Sequence, residues 1–300
     1  MSAAAVSVDL GDRTVDLQSD IAPQLLAMCN GQRTVAQLVD AFGDDARDIL
    51  SAMIEAGALV DGADAWKVLH RQSSAGTALG RPIDEAALAS LLRSSSRPAL
   101  EDGPGFACEE QSSRVVDLAR ARRSTDFDEP PRTPTFGQLS TVLSALFSFG
   151  APDGRGTHGS AGGIYPLVVH VLLRNPLGPV GAGLWWHDPR ELRLRPAVVG
   201  EGDHDVRELF ISDPTIARLL EREGPIIFLS ADVGRPSRKY GARAYRYALI
   251  EAGSALQSAA LAATELGIPL RAIGGIDDSP VHRFLALHPQ SVCLLAIVLG

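Results

Sequence analysis

KYGARAYRYALIEAGSALQSAALAATELGI, residues 239–268, carries the most extended helical pattern in the chain. From Ala244 to Gly267 small and apolar residues recur at helical spacing, so this stretch reads as one long helix. Strand patterns flank it. PIIFLSADV (225–233) precedes it, RAIGG (271–275) follows, and the chain then passes through a helix VHRFLAL (281–287) to a strand SVCLLAIVLG (291–300). Upstream, VVHVLLR (168–174) is a β-branched run of the kind that makes a buried strand. GLWWHD and ELRLRPAVVG add strand patterns, and DVRELFISDPTIARLLER (205–222) reads as a helix. Long helices interspersed irregularly among strands indicate an α+β fold rather than regular βαβ winding.

Working toward the N-terminus, Arg114–Arg123 and FGQLSTVLSALFSFG (136–150) read as helices that open this larger unit at about residue 111. Residues 71–110 are rich in Ser, Gly, Ala and Pro around one helical stretch, IDEAALASLLRSS, and read as a linker. Residues 1–70 form a smaller pattern: two strand-like stretches (VSVDL, RTVDL), three helices and a short apolar strand. Thr34 is placed to cap the second helix, and Gly31 and Gly57 to stop the first and third. That order is winged-helix-like. Its charge excludes the usual DNA-binding role, because Arg13, Arg33, Arg47 and Lys67 face eleven Asp and Glu in this stretch.

The whole chain has a net charge of −8, which argues equally against nucleic acid and anionic membrane as partners. The opening MSAAAVSVDL has no basic n-region, and no apolar run approaches the length of a membrane span, so a cytoplasmic protein is expected. Cys29, Cys108 and Cys293 are too far apart for a zinc site or a disulfide framework and read as packing residues.

Four stretches could carry chemistry. GRGTHGSAGG (154–163) is neither preceded by a strand nor followed by a helix, so it is not a Rossmann or phosphate-loop motif. It is either a plain turn or a bare backbone surface that a flat or anionic ligand can approach closely. Within it His158 reads as incidental. Arg122-Arg123-Ser124 offers two guanidinium forks and a hydroxyl, which suit phosphate, or is merely a basic helix end. RPSRKYGARAYRY (235–247) packs five basic residues and three tyrosines into thirteen positions. Its Lys239-Tyr240 pair sets an ammonium beside a phenol, an arrangement that favours the phenolate and hence general-base chemistry. Gly274-Gly275 before Asp277 and Asp278 is an anion-binding nest or a turn.

Taken together and in order, RRS, SAGGIYP, KYGARAYRYALIEAG and GGIDD resemble the nitroreductase superfamily, and within it the SagB-type, ThcOx-like dehydrogenases, over residues 111–300. The resemblance implies a nitroreductase-like fold, with a central mixed sheet flanked by helices, in a homodimer binding FMN. Arg122, Arg123 and Ser124 would meet the flavin phosphate and ribityl chain. Ser160, Gly162 and Gly163 would lie against the isoalloxazine edge, and Gly274 and Gly275 near the phosphate. Lys239 and Tyr240 match the pair implicated in oxidising peptide azolines to thiazoles or oxazoles, with a ribosomal peptide or carrier-bound substrate and a cyclodehydratase as partners. The N-terminal module is similar to elements that hold leader peptides. Where the family has a further basic residue after RRS, this chain has Asp126. Two other readings stay open: an NAD(P)H-dependent nitro- or quinone reductase, and a non-catalytic peptide-binding scaffold.

Overall fold

The computed structural model describes residues 5–9, 14–29, 34–55, 59, 67, 70, 86, 90, 111–126, 129–150, 154–200 and 205–300. The chain divides into two compact units, Met1–Gln72 with Val233–Ala248, and Ser73–Asp232 with Leu249–Gly300.

In the first unit β1 (Ala5–Asp9) pairs antiparallel with β2 (Thr14–Gln18), Val8 opposite Val15, as their alternation predicts. Helices α1 (Ala22–Met28), α2 (Val35–Phe42) and α3 (Asp45–Glu55) follow. Thr34 does cap α2: its hydroxyl accepts from Gln37 N–H while the Gln37 side chain accepts from Thr34 N–H, a complete capping box. Leu25, Leu38, Ala46 and Leu50 form this unit's core, with Ile21, Met28 and Phe42 packed around it. Gly31, Gly57, Cys108, most of the apolar stretch after α3 and most of the linker helix lie outside the described residues; Ala86 and Ser90 of that helix are helical. The same unit takes in Val233–Ala248, which contains α7 (Gly234–Tyr240) and, beyond it, Tyr245, whose hydroxyl lies 3.0 Å from His70 Nδ1.

In the second unit α4 (Arg114–Ala121) and α5 (Phe136–Leu146) precede a six-stranded sheet of order β5-β4-β3-β6-β8-β7. Its strands are β3 (Leu167–Leu173), β4 (Gly183–Asp188), β5 (Arg193–Pro196), β6 (Ile226–Asp232), β7 (Leu270–Ile273) and β8 (Ser291–Leu299). The α+β class holds, but the sheet expected to be mixed is antiparallel at every pairing. Short connections between β3, β4 and β5 permit only antiparallel neighbours. Strands β6 and β7 do run in the same direction, joined through α7 and α8 (Arg243–Glu265). They are not neighbours, because β8 pairs with both and fills the gap between them.

The helix expected over 205–222 is two pieces. A 3₁₀ turn (Val206–Leu209) ends at Phe210, which bridges to Ile276; α6 (Pro214–Leu220) then starts afresh. Pro214 lacks the N–H that a continuous helix needs, and the Asp213 carboxylate caps the new one through Thr215 and Ile216 N–H. Helix α9 (Asp278–Phe284) covers the sheet with Val281 and Phe284 against Phe228, Phe210 and Leu219. Among the described residues no helix is long and apolar enough to cross a membrane.

Two buried side chains show what this core excludes. The Cys293 thiol, wholly buried on β8, is pushed up to about 12 by burial, which suits packing and not nucleophilic chemistry. His170 on β3 is held down to about 4 by burial, with Nδ1 unpartnered, so it is a neutral core residue. A depressed histidine stabilises the fold above its unfolded value near 6.5, and that contribution is lost as pH falls toward 4. Stability should therefore drop by up to about 3 kcal/mol between pH 6.5 and 4 through this residue. Urea denaturation of wild type against His170→Leu checks it: the variant should show a flatter acid limb.

Candidate functional site

The Gly-rich loop is a built turn. Thr157 N–H donates to Ser148 O, the Thr157 hydroxyl accepts from Ser148 N–H, and Gly156 N–H donates to the Tyr165 hydroxyl. A Cβ on Gly156 would fall 2.7 Å from the Tyr165 ring, so glycine is required there. Phe147, Phe149, His158 and Tyr165 pack ring on ring behind the loop, and Arg190 lies 4.3 Å over Phe149.

Beyond this aromatic cluster the chain turns through Ala161–Gly163, with Gly162 at φ 64° and Gly163 at φ 66°. Both glycines are exposed, and a Cβ on Gly163 would meet nothing within 4 Å. Two consecutive left-handed residues without side chains present bare backbone to whatever approaches.

Glu251 of α8 holds this turn, a residue the sequence reading passed over. One carboxylate oxygen accepts from the Ser160 hydroxyl at 3.0 Å and from Ala161 N–H at 3.0 Å, while the Ser160 oxygen accepts from Tyr165 N–H at 2.8 Å. Glu251 is only 3% exposed. Its second oxygen lies 3.8 Å from Nε2 of His158, itself 4% exposed, and has no hydrogen-bond partner among the described residues. Burial raises the Glu251 carboxyl, against the lowering pull of Ala161 N–H and the Ser160 hydroxyl, and burial lowers the His158 imidazole. Desolvation thus works against charging either member. His158 is part of the packed wall behind the turn. The signal was available for Glu251: a lone carboxylate on the alanine stripe of Ala248, Ala252, Ala255 and Ala259, all buried.

Arg122 caps the end of α4 in an extended conformation, so Arg122-Arg123-Ser124 lies just past the helix. Arg122 is half-buried, Arg123 and Ser124 are exposed, and Arg123 pairs with Glu129 at 3.2 Å. Thr125 ties this stretch to β7: its N–H donates to Leu270 O, and its carbonyl accepts from Arg271 at 2.6 Å. Strand β7 leads directly into Gly274-Gly275. Gly274 is exposed with open space at its Cα; Gly275 packs so closely on Ile211 and Ile216 that a Cβ would clash at 2.7 Å. Asp126 is exposed, and Arg222 grips its carbonyl and that of Glu129, each at 2.7 Å.

Lys239 and Tyr240 form the last turn of α7, which stops at Gly241 with φ 55°. Lys239 Nζ lies 5.1 Å from the Tyr240 ring centre, and Tyr240 meets Tyr247 edge to face at 5.0 Å. This pair belongs to the first unit and the other predicted residues to the second. A cleft of about 330 Å³ lined by Arg174, Asn175, Arg222 and Glu223 contains none of the predicted residues. Among the described residues no cluster of His, Cys, Asp and Glu could hold a metal.

An antiparallel sheet with helices, a bare glycine turn and a two-arginine stretch tied to its edge strand make this an α+β protein. The family model named Nitroreductase family matches residues 119–300, and the chain belongs to that family of oxidoreductases. A Methanocaldococcus jannaschii protein named as a nitroreductase, MJ1384, is 28% identical over 192 residues, 61% of this chain and 90% of its own length. Among solved structures, a chain of the E. coli microcin synthetase McbBCD complex with truncated pro-MccB17 bound is similar over 83% of this chain and 96% of its own. It has a TM-score of 0.56 and 20% identity. A nitroreductase-named protein of Ralstonia eutropha JMP134 covers 65% of this chain and 86% of its own, with a TM-score of 0.50 and 16% identity.

Removing the Glu251 carboxylate leaves the Ser160 hydroxyl and Ala161 N–H without their acceptor inside a packed wall. Glu251→Ala should cost about 3 kcal/mol and Glu251→Gln, which keeps an acceptor oxygen, less than about 1 kcal/mol. Urea unfolding of both variants measures the difference; equal midpoints for Ala and Gln would mean the carboxylate does not hold the turn.

Proposed function

We propose that this chain is an FMN-dependent enzyme that oxidises azoline rings in peptides to thiazoles or oxazoles. The observation that carries this reading is the Lys239-Tyr240 pair at the end of α7, with Lys239 Nζ 5.1 Å from the Tyr240 ring centre. The likeness to the microcin synthetase chain supports it. That match spans 83% of this chain, more than residues 111–300 can supply, so it includes part of the N-terminal region.

The residues present fit FMN. Arg122 and Arg123 bring two guanidinium groups and Ser124 a hydroxyl, all past a helix end and accessible to a phosphate. The exposed left-handed backbone of Gly162 and Gly163, braced through Ser160, suits a flat ring, which a Cβ would push away. Gly274 leaves open backbone at the end of β7, the strand to which the arginine stretch is tied.

Aromatising an azoline removes a hydride and a proton. A bound flavin supplies the hydride acceptor. Tyr240 takes the proton, with Lys239 5.1 Å over its ring. The aromatic wall of Phe147, Phe149 and Tyr165 keeps water from the back of the glycine turn. The N-terminal module binds the leader of the peptide by adding a strand to β1 or β2. A second copy of the chain covers Ile250 and Leu249, which stand 61% and 45% exposed on α8. A cyclodehydratase supplies the azoline. The M. jannaschii likeness favours a second reading, an NAD(P)H-dependent nitro- or quinone reductase.

Anaerobic mixing with an azoline-containing peptide should bleach the flavin absorbance, whereas NAD(P)H should not. Tyr240→Phe should retain flavin and slow that bleaching at least ~100-fold. Bleaching by NAD(P)H alone would make the second reading the correct one, and loss of flavin from Tyr240→Phe would make the tyrosine structural.

A further inference from the structure

Between Asp232 and Glu251 the chain has no carboxylate, yet it carries Arg235, Arg238, Lys239, Arg243 and Arg246, all exposed. Arg235 is engaged within the fold, and Lys239 lies over Tyr240. Arg238, Arg243 and Arg246 have neither counter-ion nor hydrogen-bond partner among the described residues.

Folding alone gives no reason for the last two. Arg243 opens α8 and Arg246 follows one turn later, so both stand where the positive end of the helix dipole disfavours cations. At a spacing of three residues they also repel each other. The first turn of α8 has no acidic residue to relieve either effect. The unit that holds them is otherwise acidic, with eleven Asp and Glu against four basic residues in 1–70, yet none of its described carboxylates pairs with these arginines. Charge is segregated here at an energetic cost that a bound anion would offset.

We propose that Arg238, Arg243 and Arg246 form a docking ridge for a peptide that carries carboxylates beside the ring to be oxidised. The inference rests on the azoline reading, because Tyr240, the base in that reading, lies between Arg238 and Arg243 in the chain. The half-buried Tyr240 and Tyr247 rings, edge to face, give the ridge an apolar floor on which the flat heterocycle rests. Acidic flanks on either side of the ring then meet the arginines, and the ridge sets which peptides are taken.

The full chain, loaded with FMN, would be titrated by fluorescence anisotropy with two labelled, uncyclised peptides that differ only in glutamate or lysine flanks. The glutamate peptide should bind about tenfold more tightly, and the advantage should shrink as salt is raised. In Arg243→Glu/Arg246→Glu the preference should invert while flavin content stays at the wild-type level. Arg243→Gln/Arg246→Gln, which adds no new charge, should abolish the preference and serves if the reversal variant misfolds. Equal affinities for the two peptides, or binding indifferent to salt, would overturn the ridge. Loss of flavin from the variants would also overturn it, because the arginines would then belong to the cofactor's phosphate. If glutamate peptides bind but no azoline peptide bleaches the flavin, the proposed reaction fails and the ridge stands. If azolines with either flank are oxidised with equal KM, the reaction stands and the ridge fails.

Discussion

A buried carboxylate without a cation is the constraint on which the second unit's candidate site depends. Glu251 accepts from Ser160 and Ala161 and thereby fixes a turn whose next two residues adopt left-handed backbone. Such a turn has little to hold it otherwise, since its glycines bring no side chains and face outward. The desolvation of Glu251 is offset in part by two donors that converge on one of its oxygens. The chemistry of the exposed surface is therefore set by a residue that never reaches it.

The same logic of anchoring at a distance recurs around the arginine stretch. Arg122 stays available because other residues do the structural work: Thr125 pins the segment to β7, and Arg222 gathers the carbonyls of Asp126, Glu129 and Gly300. A cation committed to carbonyls holds the backbone, while a cation left in solvent remains free to meet an anion. That division of labour makes Asp126 unimportant to the local scaffold, since it contributes its carbonyl and not its carboxylate.

Much of the fold was legible in the sequence. The long helix, the β-branched strands, the Thr34 cap and the α+β class all follow from local patterns that depend on neighbouring residues. What escaped was long-range. No local pattern says that β8 inserts between β6 and β7, which is why the expected mixed sheet is antiparallel at every pairing. The break within 205–222 was readable from Asp213-Pro214 and was missed because the apolar period ran on across it. For the site, Ser160, Gly162 and the two arginines are singled out by the resemblance, since residue type alone leaves each with a purely structural reading. Glu251 stands out only as a lone carboxylate on an alanine stripe, and what it and His158 touch is not legible, because those partners are about ninety residues apart.

The insertion of β8 also shapes how this chain must be born. Residues Ile226–Asp232 emerge from the ribosome some sixty positions before the strand that will cover their free edge. Until then β6 offers an unpaired row of amides on an almost wholly apolar strand, and β7 has no neighbour at all. A nascent chain in that state is a template for pairing with its own siblings, and slow translation across α8 would prolong the danger. Productive synthesis therefore favours low crowding or a holdase that shields that edge until the final strand zips the sheet shut.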